Sequence, residues 1–155
     1  LLYQLGKSEY IVKSYQQACD YFAQGLSFDL DPKLEYVADM VEMYGYALIN
    51  SHQAQVALGF EGDIYGTFAT RAEFVFLMGL IYMNNEMFDK AIAEFQKATR
   101  YQTSSMQGVN SYLANYNIGI IYECLGEFFQ AIIYYKKAVG YKPAEDRIAQ
   151  MEEKK

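Results

Sequence analysis

The residue types able to do chemistry are few in this chain, and they decide what must be weighed first. The single histidine, His52, stands in NSHQ between two apolar stretches. A general base needs a nucleophile or an orienting partner within hydrogen-bond reach, and no such constellation can be assembled around it. Cys19 and Cys124 have no metal spacing and no disulfide framework. They read as small buried apolar residues in a reducing compartment. Asp29-Leu30-Asp31 has the DxD form with which sugar-nucleotide enzymes hold a divalent metal. Two carboxylates alone fall well short of the oxygen shell a hard cation requires. Asp31 also precedes Pro32, the order of an N-cap and a first helical residue. The acidic pairs Glu145–Asp146 and Glu152–Glu153 read as solvated faces. With no phosphate-binding glycine loop and no Cys/His cluster, no catalytic, cofactor-binding or metal residue is expected. The chain is not expected to be an enzyme.

The elements that would position a site are helices. Of 155 residues, 52% are apolar and 17% aromatic, which argues against disorder. Only Pro32 and Pro143 would break helices, and Val and Thr are sparse beside Ala, Leu, Tyr, Met, Glu, Lys and Gln. The net charge of −6 gives little support to a nucleic-acid role, which needs a basic field. No apolar run approaches the ~18 residues of a membrane span, so membrane insertion is not expected and a cytoplasmic location is. The chain opens on Leu1 and reads as a fragment of something longer.

A repeat organises these helices. Gly119 is followed by Ala131 at twelve residues, Gly79 by Ala91, Gly45 by Ala57, and Gly6 by Ala18. The glycines lie 39, 34 and 40 residues apart, the period of a two-helix unit. Glycine inside a helix costs roughly 1 kcal/mol, so four at one register imply a packing reason. Paired small residues let two antiparallel helices approach closely. The turn LGEFF sets Gly126 in a C-cap slot and Glu127 at the start of the next helix.

These residues resemble the tetratricopeptide repeat (TPR). The last repeat carries Asn115, Ile118, Gly119, Tyr122, Ala131, Tyr135, Ala138 and Pro143 in the family's slots. The third carries Val75, Met78, Gly79, Tyr82, Ala91, Phe95 and Ala98. The first has Glu9 where tyrosine is usual, and the second has Glu61 in an aromatic slot. The expected fold is all-α, a right-handed TPR-type solenoid of about four antiparallel helix pairs and a C-terminal capping helix. One domain over 1–155 would hold repeats at about 1–32, 33–70, 71–105 and 106–142, with the cap at 143–153. The helix pairs are placed at 1–12 and 14–28, 33–50 and 53–65, 71–84 and 87–101, and 109–124 and 127–140. SFDLDP, YGTFAT and QTSSMQG serve as linkers, and EEKK as a frayed tail.

The resemblance implies a concave face lined by the first helix of each pair. Its lining would include Tyr3, Tyr10, Tyr46, Asn50, Phe76, Met83, Asn84 and Tyr116, with Lys7, Glu123 and Cys124 in further slots. Such a set suits an extended peptide or a helix, unless the rings pack between repeats. Lys7 alone is a poor match to the carboxylate-clamp form of the family. LLYQLGKSEY, ACDYFAQGLSFDLDPKLEYVADMVEMYGYALIN, FVFLMGLIYMNNEMF and GVNSYLANYNIGIIYECLGEFFQAIIYYKKA are similar to the C-terminal repeat region of bacterial family 2 glycosyltransferases. That resemblance implies a scaffold module whose partner is a protein or peptide: an acceptor, the parent's own catalytic domain or a second copy. A free-standing adaptor is the alternative.

Overall fold

In the computed structural model, which describes residues 1–153, ten α-helices and one 3-10 turn follow one another, with no strand among the described residues. Two compact units divide the chain, Leu1–Ala69 and Thr70–Lys155. The first contains α1 (Leu2–Ile11), α2 (Tyr15–Leu26), α3 (Glu35–Asn50), α4 (Ala54–Ala57), the 3-10 turn Leu58–Glu61 and α5 (Asp63–Phe68). The second contains α6 (Ala72–Asn84), α7 (Phe88–Ala98), α8 (Tyr112–Cys124), α9 (Phe128–Lys137) and α10 (Lys142–Glu153). Of the EEKK segment, Glu152 and Glu153 belong to α10, while Lys154 and Lys155 lie outside the described residues.

Four hairpins close with one and the same turn. Seven residues after each repeat glycine stand Lys13, His52, Glu86 and Gly126, with φ of 64°, 63°, 59° and 76°. Their N–H groups donate to the carbonyls of Tyr10, Ile49, Met83 and Glu123 at 3.0–3.1 Å. The N–H groups of the following residues, Ser14, Gln53, Met87 and Glu127, donate to Glu9, Leu48, Tyr82 and Tyr122 at 2.7–2.9 Å. This pair of bonds is the Schellman motif, which satisfies carbonyls left open at a helix C-terminus. Only the fourth turn uses glycine in the left-handed slot.

The glycines make room for rings. A Cβ built on Gly6 would lie 2.5 Å from the Phe22 ring, on Gly79 2.6 Å from Phe95, and on Gly119 2.5 Å from Tyr135. All three rings are fully buried. The repeat spacing pairs each glycine with the alanine twelve residues on. At Gly6, Gly79 and Gly119 the side-chain atoms nearest an added Cβ belong instead to the aromatic residue sixteen on, while Ala18, Ala57, Ala91 and Ala131 are fully buried.

The second hairpin departs from the expected helix over 53–65. Its second arm is the short α4, then the 3-10 turn, a break at Gly62 (φ −87°, ψ −119°), and α5. Gly59, Gly62 and Gly66 weaken the helix, and the ring slot holds the exposed Glu61. The tighter winding of a 3-10 turn brings Phe60 inward instead, its ring centroid 5.8 Å from that of Tyr44. YGTFAT is accordingly not all linker, since Tyr65–Phe68 belong to α5.

Two helices start later than expected. α3 begins at Glu35 rather than 33 because Asp31-Pro32-Lys33-Leu34 forms a turn first. The Leu34 N–H donates to the Asp31 carbonyl at 3.1 Å, and the Lys33 N–H to the Asp31 carboxylate at 3.0 Å. α8 begins at Tyr112 rather than 109 because Gly108, at φ 88°, opens a turn. The N–H groups of Ser111 and Leu113 donate to its carbonyl at 3.1 and 2.9 Å.

Candidate functional site

In the first unit, α1 and α3 carry the lining residues. The half-buried Tyr3 ring lies 5.9 Å from Tyr36, and the Lys7 ammonium stands 5.8 Å from the Tyr3 centroid. Tyr10 meets Tyr15 edge-on at 5.4 Å. Burial raises the hydroxyl pKa of both Tyr3 and Tyr10, with smaller upward pushes from Asp39 and Tyr15 respectively. Tyr46 is half-buried and Asn50 exposed on α3.

One feature of this unit had little sequence signal. A cavity of about 350 Å³ is lined by Leu2, Tyr3, Gly25, Phe28, Tyr36 and Met40, among others. Phe28, expected where the helix 14–28 meets the SFDLDP linker, lies beyond the end of α2 at Leu26 and is an exposed ring on the cavity wall. The only hint was its large apolar side chain in an otherwise turn-forming stretch.

In the second unit the lining slots divide. Phe76 is 5% exposed and packs on Phe95 at 5.4 Å, so it is a core ring rather than a free anchor. Met83 is half-buried, and Asn84 is exposed with its amide donating to the Leu80 carbonyl at 2.8 Å. Tyr116 lies between Tyr135 at 5.8 Å and Tyr141 at 5.2 Å, beside the start of α10. Glu123 accepts the Tyr135 hydroxyl at 2.7 Å and the Arg147 Nε at 3.0 Å, and forms an ion pair with Arg147. Burial, then the bond to Glu123, drives the Tyr135 hydroxyl pKa far up, so it stays a donor. The capping helix and the residue before it therefore pack on Tyr116 and Glu123 of the last repeat, while Cys124, Leu80, Met83 and Asn84 keep accessible surface.

The side chains able to do chemistry lie apart from one another. His52 is exposed in its turn, and Asp31 is occupied by the Lys33 N–H. Cys19 is buried 3.7 Å from the Ser51 hydroxyl, and burial raises its pKa, which disfavours the reactive thiolate. Cys124 is exposed, not buried as expected, because α8 ends there with this face toward solvent. Among the described residues no three His, Cys, Asp or Glu side chains gather to hold a metal. What the arrangement offers is half-exposed aromatic, thioether and amide surface on hairpins, suited to binding a chain by shape.

A family model of the tetratricopeptide repeat matches residues 72–104 and 112–145. These two segments are tetratricopeptide repeats. The TPR turn and the glycine–ring seat extend the same geometry to residues outside them, with Gly6 on Phe22 and the left-handed Lys13 and His52. No curated protein matches the chain in sequence. Among solved structures it is similar to YrrB, described as a TPR protein with an unusual peptide-binding site. That match has 23% identity and a TM-score of 0.74, and covers 99% of this chain and 73% of YrrB. It is also similar to MamA from Desulfovibrio magneticus RS-1, at 21% identity and a TM-score of 0.72, over 94% of this chain and 76% of that one. A further MamA structure matches at 20% identity and a TM-score of 0.69, over 90% and 75%. These likenesses establish the all-helical TPR fold. No helix of the described residues is long and apolar enough to cross a membrane.

Proposed function

We propose that the chain is a non-catalytic module that binds a protein or peptide through the lining of its first-arm helices, with Tyr3, Tyr10, Tyr46 and Asn50 as contact residues of the first unit and Met83 and Asn84 as those of the second, each unit taken by itself. The observation that carries this reading is the half-exposed aromatic and amide lining on TPR hairpins that hold no assembled catalytic constellation. The peptide-binding site named for YrrB supports it by likeness of fold. In its finer form, the module serves a bacterial family 2 glycosyltransferase, holding an acceptor, a partner or the catalytic domain. The sequence resemblance of the four quoted segments supports that form. A free-standing adaptor fits the likeness to YrrB and MamA equally well.

Calorimetry of the chain against an isolated catalytic domain of that enzyme family, and against a peptide library, tests both forms. Saturable binding to the catalytic domain supports the glycosyltransferase form, and binding to peptides alone supports the adaptor. Binding to neither contradicts the reading.

A further inference from the structure

Two adjoining cavities lie in the first unit, and Phe28 and Leu30, in the connection between α2 and α3, line both. One is the cavity of about 350 Å³ walled by Tyr3, Tyr36 and Met40. The other, of about 230 Å³, lies between Val37 and Val41 of α3 and Ile64 and Phe68 of α5. Sites for whole small molecules begin at roughly 300 Å³, so spaces of this size suit one large side chain each. The second cavity differs in charge. Asp29, from the α2–α3 connection, and Asp63, from the first turn of α5, both line it, and both residues are exposed. No Lys, Arg or His side chain lines either cavity. Neither aspartate forms an ion pair among the described residues. The same sign runs through the unit. Residues 1–69 count nine Asp and Glu against Lys7, Lys13 and Lys33, while 70–155 count ten of each sign, so the whole net charge of −6 belongs to the first unit.

We propose that the two cavities hold one basic peptide segment, which sets a large apolar side chain in the first and a nearby arginine in the second. Apolar walls with two carboxylates and no cation select a positive head on an apolar stem, the build of lysine and arginine. Arginine is favoured because its guanidinium is the more weakly hydrated and carries five donors in a planar fork, enough for both carboxylates. The neighbouring cavity has no charged side chain in its lining. It takes an aromatic or aliphatic anchor against Tyr3 and Tyr36, whose ring centroids stand 5.9 Å apart. Because Phe28 and Leu30 wall both spaces, the two anchors lie within a few residues of each other on the peptide. The acidic surroundings raise the encounter rate of such a segment and repel acidic ones. This inference rests on the peptide-binding reading and gives the first unit's partner its chemistry. Of the contacts proposed for that reading, only Tyr3 lines either cavity.

Selection of a random peptide library on the whole chain, followed by fluorescence anisotropy of the tightest peptide, tests it. The expected peptide carries Arg or Lys within about four residues of a Phe, Leu or Met, and its affinity falls as salt rises. Asp29→Lys with Asp63→Lys weakens it roughly fivefold or more, and a fresh selection on that variant loses the basic residue. Phe28→Ser, at an exposed position between helices, weakens it by a similar factor. Glu9→Lys with Asp20→Lys, which makes the same change in net charge away from both cavities, changes affinity by no more than about twofold. Helicity is unchanged in all three. A tightest peptide without the basic and apolar pair overturns the proposal. So does one whose binding survives the reversal of Asp29 and Asp63, or loses as much on the reversal of Glu9 and Asp20. If such a peptide weakens on Asn50→Ala instead, the peptide-binding reading stands without this inference. A library that yields no binder overturns both.

Discussion

At the scale of single residues, Gly6, Gly79 and Gly119 are explained by the rings that sit on them. A methyl group at Gly79 would stand 2.6 Å from the Phe95 ring, and that ring is fully buried with Phe76 against it. Gly79→Ala is expected to cost roughly 1–3 kcal/mol, the usual toll of overpacking, read from the midpoint of urea unfolding. The left-handed turn residues make a second prediction with opposite signs. Glu86 is exposed at φ 59°. Glu86→Gly is expected to stabilise by roughly 0.5–1 kcal/mol, the left-handed penalty of an L-residue less the entropy of unfolded glycine. Gly126→Ala, at φ 76°, is expected to destabilise by about 1 kcal/mol in the same assay. The sequence revealed the repeat glycines because their spacing is regular. It hid three of the four turn residues, because Lys13, His52 and Glu86 have side chains that argue against a left-handed conformation.

At the scale of elements, long connections are held by specific side chains. The loop between α7 and α8 is tied down by Glu73 of α6, 7% exposed, which accepts both the Ser105 N–H and the Ser105 hydroxyl, the latter at 2.9 Å. Asn110 adds a bond to the Tyr101 carbonyl at 2.8 Å. Burial alone would raise the Glu73 pKa. Bonds from its own backbone N–H and from Ser105, with the charge of Arg71, outweigh burial and hold it below the ordinary glutamate value. A carboxylate with a depressed folded pKa contributes stability that is present above its unfolded value of about 4.3 and lost as pH falls through the folded one. The protection factors of residues 102–108, exchange rates divided into the intrinsic rate at each pH, are therefore expected to fall below about pH 4, and Glu73→Gln to remove that fall. Protection that stays flat with pH in the unaltered chain would contradict it. α10 depends on the Arg147–Glu123 pair and on the packing of Ala144 and Met151 with Tyr135. Arg147→Ala is expected to lower amide protection in α10 before any other helix of its unit, by the same measurement.

These elements also show where sequence legibility ends. α1, α2, α6, α7 and α10 lie within a few residues of their expected limits because apolar period and turn spacing agree there. The second arm of the second hairpin did not follow, because three glycines and a charged residue in the ring slot removed both signals. The site was less legible than the fold. α6 is apolar on every face, so its pattern could not separate the buried Phe76 from the half-exposed Met83. Tyr116 and Glu123 sat in lining slots by register. What covers them is α10, whose docking depends on the long-range pair between Arg147 and Glu123.

At the scale of the whole molecule, the proposed binding role depends on which surfaces of the TPR hairpins stay open. The first-arm helices leave tyrosine, thioether and amide surface open, and α9 exposes Phe128, Phe129 and Ile133. The most direct measurement of the central claim is amide and side-chain NMR of the chain titrated with a peptide selected from a library. Saturable shifts are expected at Tyr3 and Tyr10 in the first unit or at Met83 and Asn84 in the second, with the buried Phe76 and Tyr135 little moved. Shifts confined to other surfaces, or no library peptide that binds, would contradict it.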